Sequence, residues 1–314
     1  MRGLLLGATL AFLPLRDAAA QGGATAAAFL QRPLGARAAA LGGAFCAVSD
    51  GPGSLQYNPA GTIGERRPEL HTAYLNGFGG STFGWLAWGQ PLPIGTLTGG
   101  FQYFDAGSID LNLSDGTKRR VSAEQDHVFI GAYAVEPLPG LAVGAAFKYL
   151  RSNLADTAQA TATLGDLGVI WRTPFLPGLS AGGAVQNVGP DIKYESEGDP
   201  PPRTLRYGLA YRTAPFAASK VDPSVEAVDM DLLLTADVVQ TLREKRSARF
   251  GTEIGLAPGF INRAALRFGW IIDRPLESFT FGLGFREGRF LFDYAFSALR
   301  EFNPAQQISV SVRF

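Results

Sequence analysis

The stretch from Arg289 to Phe314 constrains the fold more than any other part of the chain. Phe290, Phe292, Tyr294 and Phe296 alternate with Leu291, Asp293, Ala295 and Ser297. After a break, Ile308, Val310, Val312 and Phe314 alternate with Gln307, Ser309, Ser311 and Arg313. Successive side chains on a strand point to opposite faces, so each segment has one oily face and one polar face. A strand with lipid on one side and a watery lumen on the other needs this layout. The segments before it repeat the pattern.

Strand-like runs are expected at 69–78, 81–90, 96–104, 125–135, 141–151, 161–172, 179–187, 204–212, 229–239, 248–256, 263–272, 278–286, 289–297 and 307–314. That is about fourteen, an even number, with lengths near the 9–11 residues of a tilted membrane strand. Leu205, Tyr207, Leu209 and Tyr211 share one face, as do Phe279, Phe281, Leu283 and Phe285. In the first two runs either register leaves something awkward. Every second connection is short and turn-like (91–95, 137–140, 174–178, 257–259, 287–288), and several of the others are longer and polar (105–124, 188–203, 240–247). Short turns on one side and longer loops on the other is the outer-membrane pattern, with the short side periplasmic. The tight 79–80 and the long 213–228 depart from it. Strand parity puts both termini on the short-turn side. In lipid an unpaired strand edge leaves polar backbone groups exposed, so the sheet must close into an all-β transmembrane barrel.

Residues 21–67 do not read as strand. Ala-rich 29–48 suggests short helices, and 49–53 and 58–61 force turns. The apolar Leu34, Leu41, Phe45, Val48 and Leu55 imply that this segment packs as a plug in the lumen or at its mouth. Before it, Arg2, the apolar run 3–15 and Ala18-Ala19-Ala20 read as an export signal cleaved after Ala20, too short to span a bilayer as a helix. The expected division is thus a signal at 1–20, a partly helical plug at 21–67 and a barrel at 68–314.

Composition excludes several classes of function. Lys plus Arg and Asp plus Glu each number 28, so no bulk charge attracts nucleic acid. One cysteine, Cys46, allows no internal disulfide, and with only His71 and His127 beside it a transition-metal site is not expected. Neither histidine adjoins a nucleophile signature, so the chain reads as a non-enzyme with no cofactor. Paired glycines such as Gly182-Gly183 fall inside strands and read as close packing, not phosphate cradles. The basic loop residues Lys118, Arg119 and Arg120 read as a solvated patch.

The inward faces carry Lys148, Asp166, Arg172, Arg206, Arg212, Asp229, Asp231, Asp237, Arg249, Glu253, Arg263, Arg267, Arg286, Asp293 and Arg313. Arg or Lys facing lipid near the midplane would cost about 2–4 kcal/mol each, which places them inside. Arg206, Arg249, Glu253, Arg263, Arg267 and Asp293 are the candidate polar lining. Mixed signs favour mutual neutralisation over a site for an acidic head group near Arg249, Arg263 and Arg267. Leu41, Phe45 and Leu55 are the candidate apolar pocket. Outward Trp171, Tyr207, Tyr211, Trp270, Phe290 and Phe296 suit interfacial girdles.

Residues Leu34 to Phe45, with Arg37, Gly42 and Gly43, then Asp50 and Asn58-Pro59-Ala60-Gly61, resemble the N-terminal signature of the PorV/PorQ family, within the wider group of long-chain fatty-acid transporter (FadL)-like barrels. Val185 to Pro190 with Arg206-Tyr207-Gly208, and Asp293-Tyr294-Ala295-Phe296 with the closing Ile308 to Phe314, resemble later parts of it. The resemblance implies a fourteen-strand barrel with the N-terminal segment folded inside. It also implies an accessory role in type IX-like protein secretion, with secretion proteins or exported cargo as partners. The FadL-like relatives imply instead a conduit for hydrophobic ligands. A structural barrel without transport is the third reading. Outer-membrane lipid and the barrel assembly machinery, with Phe314 as the assembly signal, are the remaining expected partners.

Overall fold

The computed structural model describes residues 25–64, 67–77, 80–112, 117–155, 157–194, 196–216, 229–257, 262–274, 277–299 and 304–314. The export signal at 1–20 with its cleavage point lies outside them, as do parts of the connections expected at 79–80, 213–228 and 257–259.

The wall is built from β1 (Glu69–Asn76), β2 (Thr82–Pro91), β3 (Thr96–Asp105), β6 (Glu124–Leu138), β7 (Leu141–Leu154), β8 (Ala158–Arg172) and β9 (Leu179–Val188). It continues through β12 (Thr204–Phe216), β13 (Asp229–Thr241), β14 (Ser247–Ala257), β15 (Arg263–Ile272), β16 (Glu277–Glu287), β17 (Phe290–Leu299) and β18 (Ala305–Arg313). Each pairs antiparallel with its sequential neighbour, and β1 pairs with β18, giving one closed fourteen-strand barrel. The seam is pinned at the short-turn end. There Glu69 sits opposite Arg313, their side chains 2.9 Å apart, and the Phe314 amide donates to the Pro68 carbonyl. The sequence did not signal two small hairpins in the long loops, β4 (Ser108–Asn112) with β5 (Lys118–Ser122) and β10 (Ile192–Lys193) with β11 (Gly198–Asp199).

Short turns are possible where glycine takes a left-handed conformation. At Gly178, with φ of +88°, a Cβ would lie 2.0 Å from the Arg212 carbonyl oxygen. Outward faces carry the apolar band, with Trp171, Trp270 and Phe290 exposed and Tyr207, Tyr211 and Phe296 half-exposed.

The segment 25–64 lies inside the barrel. It holds one helical turn, α1 (Ala36–Ala40), and three short 3-10 helices, Ala28–Gln31, Gly51–Ser54 and Pro59–Gly64. Parity alone put both ends of the chain on the short-turn side, but the segment climbs the lumen. The Ala26 amide donates to the Pro200 carbonyl, and Gln31 donates to Glu244 at 2.7 Å, both in loops of the opposite end.

The plug also explains the awkward register of β1 and β2. Leu75, Phe83 and Trp85 point inward, although an inward face was expected to be polar. On this side the upper lumen is filled by apolar chain, so the inward faces are apolar there too, while Glu69 and His71 keep the lower inward face of β1 polar. Phe104 stacks between plug and wall, its ring 5.3 Å from Phe29 and 4.5 Å from Phe83.

Candidate functional site

The plug is seated on glycines of the wall. Asn58 donates from Nδ2 to the carbonyls of Cys46 (2.8 Å) and Val169 (3.0 Å), and its Oδ1 accepts from the Ala60 amide (3.0 Å). These bonds fix the turn Asn58-Pro59-Ala60-Gly61 against β7 and β8. A Cβ on Gly168 would lie 1.9 Å from Asn58 Oδ1, and one on Gly144 would lie 2.5 Å from the Ala60 nitrogen. Gly61 is equally confined, since a Cβ there would lie 2.7 Å from the Val48 carbonyl oxygen. Across the lumen Gly42 and Gly43 both have positive φ. The Gly42 amide donates to Thr280 Oγ1 at 3.1 Å, and Thr280 donates to the Ala40 carbonyl at 2.9 Å. Asp237 caps the next bend by accepting from the Phe45 and Cys46 amides, each at 2.8 Å.

Asn58→Ala removes both donations and the turn support. It should cost about 1–3 kcal/mol, because buried carbonyls lose their donor. Denaturant unfolding in detergent, with wild type alongside, measures it.

A second set of contacts is ionic. Glu253, fully buried on β14, accepts from three arginines. Arg37 of α1 meets it twice at 2.8 Å, Arg267 at 2.7 Å and Arg263 at 2.8 Å. Arg37 also pairs with Asp50 at 2.5 Å, Arg267 with Asp293 at 2.7 Å, and Arg263 with Asp231 at 2.7 Å. Arg212 completes the set on Asp231 at 3.2 Å. Among the described residues the network thus joins Arg37, Arg212, Arg263 and Arg267 to Asp50, Asp231, Glu253 and Asp293, with signs balanced. Burial disfavours the Arg37 charge, yet the Asp50 and Glu253 carboxylates hold its protonation well above the ordinary range.

The polar candidates therefore separate. Glu253, Arg263, Arg267 and Asp293 are brought together with the plug residues Arg37 and Asp50. Arg206 lies elsewhere, its guanidinium 5.4 Å from the centre of the Tyr57 ring and donating to Gln186 at 2.8 Å. Arg249 is buried against Gly43. Arg263 and Arg267 are each matched by two carboxylates, so they offer no unmatched charge to an acidic head group. Lys148 is buried on Asp166 at 2.6 Å. Arg172 pairs with Glu136 and, like Arg286, sits at the open short-turn mouth.

The apolar candidates separate too. Leu41 and Phe45 pack in one cluster with Ala38, Val48, Tyr57 and Leu233, whereas Leu55 belongs to another with Phe29, Leu34 and Trp85. They do not line one pocket. Each is already surrounded by plug and wall, a distinction that sequence order cannot carry.

The Leu55 cluster has the larger consequence. It runs as an apolar strip along the inner faces of β1–β3 and β6–β8, through Val128, Ile130, Leu150, Ala160, Ala162 and Leu164, to Ile192 in the loop after β9. Where the strip reaches β8 the wall is incomplete. β8 pairs with β7 along its whole length, but with β9 only from Gly165 towards the short-turn end. Among the described residues no backbone hydrogen bond joins Ala158–Leu164 to a strand on that side. The loop 189–203 covers the gap, with Ile192 buried and Tyr194 Oη 2.7 Å from Ser152 Oγ. Backbone left unpaired at membrane depth, as at Ala162–Leu164 in the lower part of this notch, is tolerated only beside protein or water, so the notch is the weak place in the wall.

A closed fourteen-strand antiparallel barrel with its N-terminal segment threaded through the lumen defines a class by fold, the plugged β-barrels of outer-membrane type. Solved structures with this fold include the Ralstonia pickettii toluene transporter TbuX, 14% identical, covering 89% of this chain and 98% of that one with a TM-score of 0.57. The P. putida toluene transporter TodX is 12% identical, with 89% and 98% coverage and a TM-score of 0.57. The CymD monoaromatic hydrocarbon channel is 12% identical, with 90% and 97% coverage and a TM-score of 0.56. No family model and no curated sequence matches the chain. These likenesses show the barrel fold. They give no support to the PorV/PorQ membership or the secretion role implied by the sequence motifs.

Proposed function

We propose that this protein is a non-enzymatic outer-membrane conduit for small hydrophobic molecules, entering beside β8 and passing along the apolar strip to the plug. The observation that carries this reading is the contiguous cluster of buried apolar side chains that links the notch at Ala158–Leu164 to Leu34 and Leu55 of the plug. The larger charge network, around Glu253, lies on the opposite wall, and on the strip's own wall Lys148 is paired with Asp166 at 2.6 Å. The similar toluene transporter TbuX and the CymD monoaromatic hydrocarbon channel fit a strip of this chemistry.

In this reading the short turns face the periplasm and the long loops face outside. Residues 1–20 serve export with cleavage after Ala20, and Phe314 serves recognition by the assembly machinery. The export-accessory reading, with secretion proteins or cargo as partners, rests on the motif resemblance alone.

Ala162 faces inward on the strip and is buried. Ala162→Trp is expected to fill the path without touching the plug seat. Purified protein incubated with ethylbenzene or palmitate, then read by native mass spectrometry, should retain one hydrophobe in the wild type and several-fold less in Ala162→Trp. Retention of neither compound by the wild type, with a reproducible protein partner from native membranes instead, would overturn the conduit in favour of the export accessory.

A further inference from the structure

On the lipid-facing side of the same wall, at its long-loop end, lies a cleft of about 320 Å³ lined by Gln125, His127, Phe129, Arg151, Asn153 and Gln159. All six alternate outward on β6, β7 and β8. His127 sits opposite Arg151, and Gln125 and Gln159 each sit opposite Asn153. Adjacent strands therefore gather one guanidinium, one imidazole and three amides into a single patch, with no acid among them.

Its level on the barrel matters. Going up β7 from the short turn, the outward residues are Leu141, Val143, Ala145, Phe147 and Tyr149 before Arg151. Nine residues span about 27 Å along a strand, or about 20 Å of height once tilted, close to the apolar band of such barrels. Arg151 is thus the first charge above the band, where lipid head groups begin. There an outward Arg costs about 0–1 kcal/mol, against 2–4 at the midplane.

Among the described residues Arg151 has no ion-pair or hydrogen-bond partner. The neighbouring outward acid, Asp105, is already engaged by Tyr103 Oη at 2.8 Å, the Gly107 amide at 2.7 Å and Gln125 at 3.1 Å. The His127 ring is held between Phe101 and Tyr103, with centroids 6.0 and 5.4 Å away. A positioned imidazole and an unmatched guanidinium beside amide donors are suited to phosphate oxygens, which arginine binds by a planar fork. Directly below, Phe129, Phe147 and Tyr149 are exposed and offer an apolar track for acyl chains.

We propose that this cleft binds the phosphate-bearing head group of an outer-leaflet lipid, with its acyl chains laid over Phe129, Phe147 and Tyr149. The proposal rests on the membrane orientation given above but not on conduction, since the cleft lies outside the lumen.

The test uses the full-length protein in detergent, with bisphosphorylated lipid A, the same lipid stripped of phosphate, and inorganic phosphate as probes, read by native mass spectrometry. One bisphosphorylated lipid should be retained per wild-type protein, with binding about tenfold weaker in Arg151→Gln and partly restored in Arg151→Lys. Arg289→Gln, exposed at the short-turn end, should bind as wild type. Heat-modified gel migration checks that each variant folds. Equal retention of the dephosphorylated lipid, or unchanged binding in Arg151→Gln, would overturn the proposal. So would saturation by inorganic phosphate at concentrations that also displace the lipid, which would make the cleft a free-anion site. Uptake of hydrophobes should be unaltered in Arg151→Gln, so the conduit and the lipid site stand or fall separately.

Discussion

Glu253→Leu is expected to be the most destabilising single change in the protein. It removes the fully buried carboxylate shared by Arg37, Arg263 and Arg267 and leaves those guanidiniums with too few acids. Removing one partner of a buried pair costs about 3–5 kcal/mol, far more than an exposed pair is worth. The balance of the network supplies a sharper expectation. Without Glu253, the cations Arg37, Arg212, Arg263 and Arg267 face only Asp50, Asp231 and Asp293. Without Arg37 as well, three cations face three acids. The double variant Arg37→Met, Glu253→Leu should therefore be more stable than Glu253→Leu alone. Denaturant midpoints in one detergent compare the two. A double variant less stable than the single would show that the network is not a balanced unit.

Gly168→Val is expected to unseat the plug while leaving the wall closed. The first added carbon would coincide with the Asn58 amide oxygen at 1.9 Å, and the backbone of Pro59 and Ala60 on Gly144 leaves the turn no room to shift sideways. β8 itself loses nothing, because valine favours a strand. Gly165→Val is the matched control on the same strand, since a Cβ there meets nothing closer than 3.8 Å. In planar bilayers Gly168→Val should conduct ions well above the wild type, and Gly165→Val should not. Equal currents in all three proteins would mean that the Asn58 turn does not hold the lumen shut.

The wall was legible because a membrane strand writes its environment into alternate residues. Arg263–Ile272 was delimited to the residue, and other strands to within a few. The failures lie where the lumen is not water. Phe83 and Trp85 point inward because Phe29, Leu34 and Leu55 fill that side, and a period-two pattern cannot anticipate chain arriving from outside the sheet. The wall residues of the Glu253 network were readable as inward charges, and Arg37 and Asp50 as part of the plug motif, but their meeting was not. Arg37 and Glu253 stand 216 residues apart, and nothing local pairs them. The same limit separated Leu41 and Phe45 from Leu55. The outward cleft left a faint signal, a charge and an imidazole on the oily faces of β7 and β6 near their upper ends. The notch left none, because it depends on where β9 stops pairing.

The most direct test of the conduit is uptake by intact cells, because apolar compounds cross a plain phospholipid bilayer unaided and only an outer membrane with its glycolipid leaflet holds them back. Initial rates of labelled ethylbenzene uptake at limiting concentration would be compared in cells lacking the protein and in cells carrying wild type, Ala162→Trp or Gly168→Val. A small sugar serves as the hydrophilic control. The account predicts faster ethylbenzene entry with wild type, near-background entry with Ala162→Trp, and no change in sugar entry with either. Ethylbenzene uptake indifferent to the wild-type protein, or a wild-type gain in sugar entry that Ala162→Trp leaves intact, would contradict it.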